Sequence, residues 1–258
     1  MTEAIDLAMT YHPYHIVGDT RESRWLITCD HATNHVPQMV NGGSLGLAPE
    51  DMERHIAYDL GAAGVARALA ERLGAPAILS NFSRLVIDPN RGEDDPTLVM
   101  KLYDGTIIPA NRHADAAEVA RRLEACHRPY HSALHDLAAR RDDTIIVSVH
   151  SFTRQLRGRP PRPWHVGVLH GHDTRLTDPL ADILRQQGDL CIGVNEPYGG
   201  HLEGDAIARH ALAEGRLNAL LEIRNDLIAT EAEQRAWADR LAPALEAALD
   251  AARADADL

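Results

Sequence analysis

Thr144-Ile145-Ile146-Val147-Ser148-Val149-His150 is the stretch that decides the fold. A short apolar run rich in β-branched residues, closed by a polar ring, reads as a strand buried on both faces, and such strands belong to parallel sheets covered by helices. Working outward, Trp25-Leu26-Ile27-Thr28-Cys29 leads to Asp30-His31, and Ala219-Leu220-Leu221 leads to Glu222. His31, His150 and Glu222 therefore stand at the carboxyl ends of three buried strands, where open α/β sheets bind their ligands. Asp59 falls within a predicted helix that follows the first of these strands. Two imidazoles and a carboxylate that leave a fourth position open form a catalytic zinc arrangement rather than a closed structural one. Glu222 is placed as a catalytic carboxylate, and the set implies a metal-dependent hydrolase.

The remaining pattern alternates strands with helices. A helix is predicted from Pro49-Glu50-Asp51, with proline and acids in its first turn. It runs through Ile56, Leu60, Val65 and Leu69 to a stop at Gly74. A strand over 77–82 leads into Ser83-Arg84-Leu85-Val86-Ile87-Asp88-Pro89-Asn90-Arg91. Residues 92–112 carry no clear period and read as a lid or binding loop. A long helix is predicted over 114–141, and the arginine- and proline-rich segment Arg154 to Pro163 as part of the site rim. Strands near 164–170 and 190–195 flank a helix around 178–187. The stretch Asn195 to His201 is a turn by composition, and an amphipathic helix over 231–252 closes the chain. With no repeat and no linker, the expectation is one domain over 1–258, built on a largely parallel sheet covered on both faces.

Composition narrows the function. A net charge of -12 over 258 residues excludes a general nucleic-acid binder, which needs a basic footprint. No apolar stretch approaches the length of a membrane span. Cys29, Cys126 and Cys191 lack metal-ligand spacing and leave an odd thiol, a pattern suited to a reducing compartment. Met1 to Asp6 carries acids where a signal peptide needs basic charge. The expected location is cytoplasmic.

Other arrangements compete for the chemistry. His31 and His35 lie four apart, but Pro37 and the glycines after it argue for a loop, leaving His31 the better ligand. His55 and Asp59 would share a helical face, for which a salt bridge is the ordinary explanation. His127, His131 and His135 form the strongest rival metal site by spacing, although an exposed polar stripe explains them more cheaply. Cys29 lacks the cationic setting of a nucleophilic thiol.

Cys29-Asp30-His31-Ala32-Thr33-Asn34-His35-Val36-Pro37, His55-Ile56-Ala57-Tyr58-Asp59-Leu60-Gly61-Ala62 and Phe82 to Arg91 resemble segments of the N-formylglutamate amidohydrolase family, particularly its less characterised bacterial branch. So do Val147 to Thr153, Asn195 to Gly199 and Leu221 to Asp226, in family order across most of the chain. The resemblance implies an α/β, three-layer, phosphorylase/hydrolase-like fold with a mostly parallel mixed sheet, related to zinc carboxypeptidase-like hydrolases. It implies that His31, Asp59 and His150 hold Zn2+ or another divalent metal, with Glu222 as general base. Asn90 and Arg91 match a pair that grips a substrate carboxylate, while Arg84 and Arg224 are further candidates for anchoring or oxyanion stabilisation. Asn34 stands where carboxypeptidases have a glutamate ligand, which leaves Asp59 as the carboxylate. The implied substrate is a small acidic N-acyl amino acid, with N-formylglutamate, cleaved to glutamate and formate, as the leading case. Another N-acyl amino acid or peptide, or a non-catalytic metal- or ligand-binding role, are the alternatives.

Overall fold

Parity along the strands sorts the core into two layers. Trp25, Ile27 and Cys29, then Val147 and Val149, then Ala219 and Leu221 pack into one apolar cluster, whereas Leu26, Ile146 and Leu220 pack into another. Alternate side chains of one strand point to opposite faces of a sheet, so both faces are covered. The structure, a computed structural model, describes residues 11–200 and 202–256. Met1 to Asp6 and His201, named above, lie outside them.

In chain order the elements are β1 (Tyr14–Val17), β2 (Trp25–Cys29), α1 (Pro49–Met52), α2 (Ala62–Arg72), β3 (Ala77–Ser80), β4 (Leu102–Tyr103), β5 (Thr106–Ile107) and α3 (Ala116–Arg122). There follow α4 (Arg128–Ala138), β6 (Ile145–Phe152), β7 (Val166–Leu169), α5 (Thr177–Gln186), β8 (Ile192–Val194), α6 (Ala206–His210), β9 (Asn218–Arg224) and α7 (Glu231–Ala256). A seven-stranded sheet has the order β1-β3-β2-β6-β9-β7-β8. The pairs β2–β3, β2–β6, β6–β9 and β7–β8 are parallel, while β1–β3 and β7–β9 are antiparallel. This is the expected mixed, mostly parallel α/β sheet. Helices α2, α5 and α7 supply one covering layer, and α4, α6 and the longer loops supply the other.

Register places the site. β6 pairs with β9 as far as Phe152↔Arg224 and sets His150 directly beside Glu222. β2 pairs with β6 only as far as Thr28↔Ser148. Beyond that point β2 keeps only β3 as a neighbour, at Cys29↔Leu79, and the chain turns to bring the His31 ring to 4.9 Å from that of His150, leaving a crevice. His150 and Glu222 consequently lie within their strands, two residues short of the ends, rather than terminating them.

Three expected elements differ. The helix expected from 49 to 74 is two helices separated by turns over 53–61, so Asp59 lies in a turn. The intervening backbone is claimed from elsewhere: Asp59 N–H donates to the His31 carbonyl at 3.0 Å, and the Ser83 and Ser151 hydroxyls donate to the Ala57 and Leu60 carbonyls at 2.7 and 2.8 Å. Gly61 at φ 79° ends the turn in the left-handed region. Residues 92–112 are not structureless, since β4 and β5 pair as a hairpin. The helix expected over 114–141 is present as α3 and α4, joined by a wide π turn at Leu123–His127.

Candidate active site

The crevice beyond β2 brings His31, Asp59 and His150 together, all buried, with one ligand atom from each lying within 4.8 Å of the others. Both imidazoles turn Nδ1 toward Asp59 Oδ2, at 3.3 Å from His31 and 2.9 Å from His150. Their Nε2 atoms face other carboxylates, Asp88 Oδ1 at 2.7 Å from His31 and Asp30 Oδ2 at 3.2 Å from His150. With a metal on the Nδ1 side, the carboxylate behind each ring would accept from Nε2–H, the usual outer-shell arrangement at histidine-ligated sites.

The charge balance fits the same reading. Asp30, Asp59 and Asp88 are buried against one guanidinium, Arg84, which reaches Asp88 at 2.9 Å and Asp59 at 3.4 Å. With neutral rings, a divalent cation would compensate the excess negative charge. Burial alone would raise the carboxyl of Asp59, but His31 and His150 outweigh it and hold it below the usual range. Burial is similarly outweighed at Asp88 by Arg84 and His31, and at His150, where Asp30 and Asp59 raise the imidazolium pKa.

Glu222 differs from these carboxylates. Burial pushes it up to about 7, and its Oε2 has no hydrogen-bond partner among the described residues. A buried carboxyl oxygen without a donor is costly, and Glu222 lines a cavity of about 480 Å3 together with His31, His150, Arg84, Asn90, Arg91 and Tyr198. Arg91 brings a guanidinium held by neutral groups, Thr97 Oγ1 at 3.1 Å and the Asn90 carbonyl at 2.7 Å. Among the described residues it has no carboxylate partner.

The other expected residues are placed elsewhere. Arg224 donates to Asp226 and the Trp164 carbonyl and does not line the cavity. His35 is exposed, and His55 faces Asp104 at 3.4 Å. Cys29 is fully buried, and burial pushes its thiol well up, away from a thiolate. His127 and His131 are buried rather than parts of an exposed stripe, because α4 packs them against the turn that carries Asn90.

A profile of the N-formylglutamate amidohydrolase family matches residues 23–229. The chain belongs to this family. Membership supports an amidohydrolase activity. A crystal structure of the gene product Atu2144 from Agrobacterium tumefaciens superposes with a TM-score of 0.88 at 34% identity, covering 93% of this chain and 96% of the other. N-formylglutamate amidohydrolase from Ralstonia eutropha JMP134 shares the fold with a TM-score of 0.63 at 22% identity, covering 93% and 97%. No curated protein matches the chain.

Several residues around this candidate site are not singled out by the sequence pattern. Asp30 and Asp88 lie inside the segments that resemble the family, and the available signal is an acid at the very end of an apolar run. Tyr130 donates to Asp30, and Tyr103, carried by the β4–β5 hairpin, sits over Arg84 at 5.5 Å. Arg162, from the predicted rim segment, stacks on Tyr198 at 5.0 Å and donates to its hydroxyl at 3.0 Å.

Proposed function

We propose that this chain hydrolyses the linear amide of a small acidic N-acyl amino acid with the help of one divalent metal, most fittingly zinc, and that N-formylglutamate, giving glutamate and formate, is the leading substrate. The observation that carries the reading is Glu222, a buried carboxyl group with one oxygen unpartnered among the described residues, lining the same cavity as His31, His150 and Arg91, with Asp59 against both rings. The single domain over 1–258 is part of this proposal.

A divalent ion held by His31 Nδ1, His150 Nδ1 and Asp59 would supply Lewis acidity toward an amide carbonyl and make nearby water more acidic. Glu222, poised near neutrality by burial, takes a proton from the attacking water and passes it to the departing amine nitrogen. Arg91 receives the substrate carboxylate through its guanidinium, with Asn90 beside it. Arg84 is committed to Asp59 and Asp88 and serves first to hold those carboxylates in place.

The test is release of formate or free amine across a panel of acidic and neutral N-acyl amino acids, on protein of measured metal content. Hydrolysis of acidic members is expected. Arg91→Lys should weaken them roughly ten- to a hundredfold while leaving neutral amides nearly unaffected. A panel with no turnover by metal-loaded wild type would overturn the reading.

A further inference from the structure

Behind the cavity lie three buried histidines that the proposed reaction does not use. His127, His131 and His210 are 0%, 5% and 7% exposed, and their rings form a continuous row, tilted at His127–His131 with centroids 4.4 Å apart and stacked at His131–His210 with centroids 5.2 Å apart. His131 Nε2 lies 2.9 Å from the Pro89 carbonyl, and His127 Nε2 lies 3.1 Å from the Arg91 carbonyl. These two carbonyls flank Asn90.

We propose that His127 and His131, backed by His210, are positioning residues that fix Asn90 and Arg91 for the substrate carboxylate, a role that rests on the amidohydrolase reading above. A carbonyl oxygen only accepts, so both rings must carry their proton on Nε2. His131 Nδ1 is then an acceptor, and the His210 Nε2–H donates to it at 2.9 Å. Burial disfavours the charged form of all three rings, which keeps this chain of neutral tautomers in place. His127 Nδ1 has no partner among the described residues, so the donor side of that ring is what the fold uses.

The turn is tied at other points as well. Asp88 Oδ1 accepts from the Asn90 backbone N–H at 2.9 Å, and Asn90 Oδ1 accepts from Ala206 N–H at the start of α6 at 3.4 Å. Helix α6 also carries His210, so α4 with the π turn before it and α6 together hold Pro89, Asn90 and Arg91. The same turn presents Asp88 to His31 and Arg91 to the cavity. Binding groups tolerate little displacement, since a shift of about 1 Å costs on the order of a hundredfold.

The experiment compares His131→Leu with His131→Gln, whose amide restores a donor, and uses Asp136→Asn, exposed on α4, as a control. For an acidic substrate turned over by wild type, His131→Leu should raise KM about tenfold or more, with kcat changed less than about threefold and metal content unchanged. His131→Gln should recover most of the loss, and the control should match wild type. Unchanged KM in His131→Leu, or a Gln variant as poor as the Leu variant, would overturn the proposal. If wild type turns over no N-acyl amino acid, the functional reading fails by itself. The brace is then judged on unsubstituted protein by long-range 1H–15N spectra, which must show His127 and His131 as Nε2–H tautomers. An Nδ1–H tautomer at either ring would overturn it.

Discussion

A carboxyl group surrounded by protein loses the water that stabilises its charge, and Glu222, 7% exposed, keeps one oxygen with no donor among the described residues to replace that water. Its raised pKa makes it a usable base near neutral pH, whereas Asp59 and Asp88, held down by rings and Arg84, remain ionised acceptors. Glu222→Gln should therefore keep the metal and the fold but lose roughly a hundred- to ten-thousandfold in turnover, measured as kcat at equal metal content. Retained turnover would make Glu222 structural. At this scale His31, His150 and Glu222 are legible because each polar group sits in or just past an apolar run, where burial is implied by the neighbours. Asp30 and Asp88 also end apolar runs, but their roles are not legible, since only the tertiary structure puts His150 and Tyr130 against Asp30 and His31 and Arg84 against Asp88. Arg224 illustrates the reverse error, a motif arginine whose partner, Asp226, is only two residues away.

At the scale of elements, apolar periodicity located the strands and most helices but misjudged continuity. Pro49 to Gly74 has helical spacing throughout, yet the turn over 53–61 is set by bonds from the Ser83 and Ser151 hydroxyls and by one from Asp59 N–H to the His31 carbonyl, all partners distant in sequence. The break matters because it lifts Asp59 out of a helix and into the crevice. Gly61 allows it: its φ is 79°, and a Cβ there would lie 2.3 Å from the Ile228 carbonyl oxygen. Gly61→Ala should destabilise the protein by more than about 1 kcal/mol, through backbone strain and overpacking together. Thermal melts check this, and an unchanged Tm would show that the turn has another origin. Edge strand β1 and the β4–β5 hairpin were missed for a simpler reason, being short and mostly partly exposed or exposed, with little apolar signal.

Across the whole molecule, neutral buried histidines tie stability to pH. His127, His131 and His210 have native pKa values below the ordinary 6.5, with His210 lowered to about 4. The unfolded chain binds protons that the native rings refuse, so this contribution is complete above pH 6.5 and is lost as pH falls toward 4. For His210 alone the loss amounts to roughly 3 kcal/mol over that interval. Melting of metal-free protein should show a steep decline between pH 6.5 and 4, and His210→Gln should flatten it. Parallel curves for the two proteins would contradict the assignment.

The same scale holds the central claim, that one divalent metal on His31, Asp59 and His150 is required for amide hydrolysis. The direct measurement strips the protein with a chelator and titrates zinc back while product release from N-formylglutamate is followed. Turnover should vanish on stripping and return in proportion to bound zinc, saturating at one ion per chain, with neither uptake nor turnover when His31 and His150 are both replaced by alanine. Full activity in the stripped protein, or full zinc occupancy in the doubly substituted one, would contradict the account.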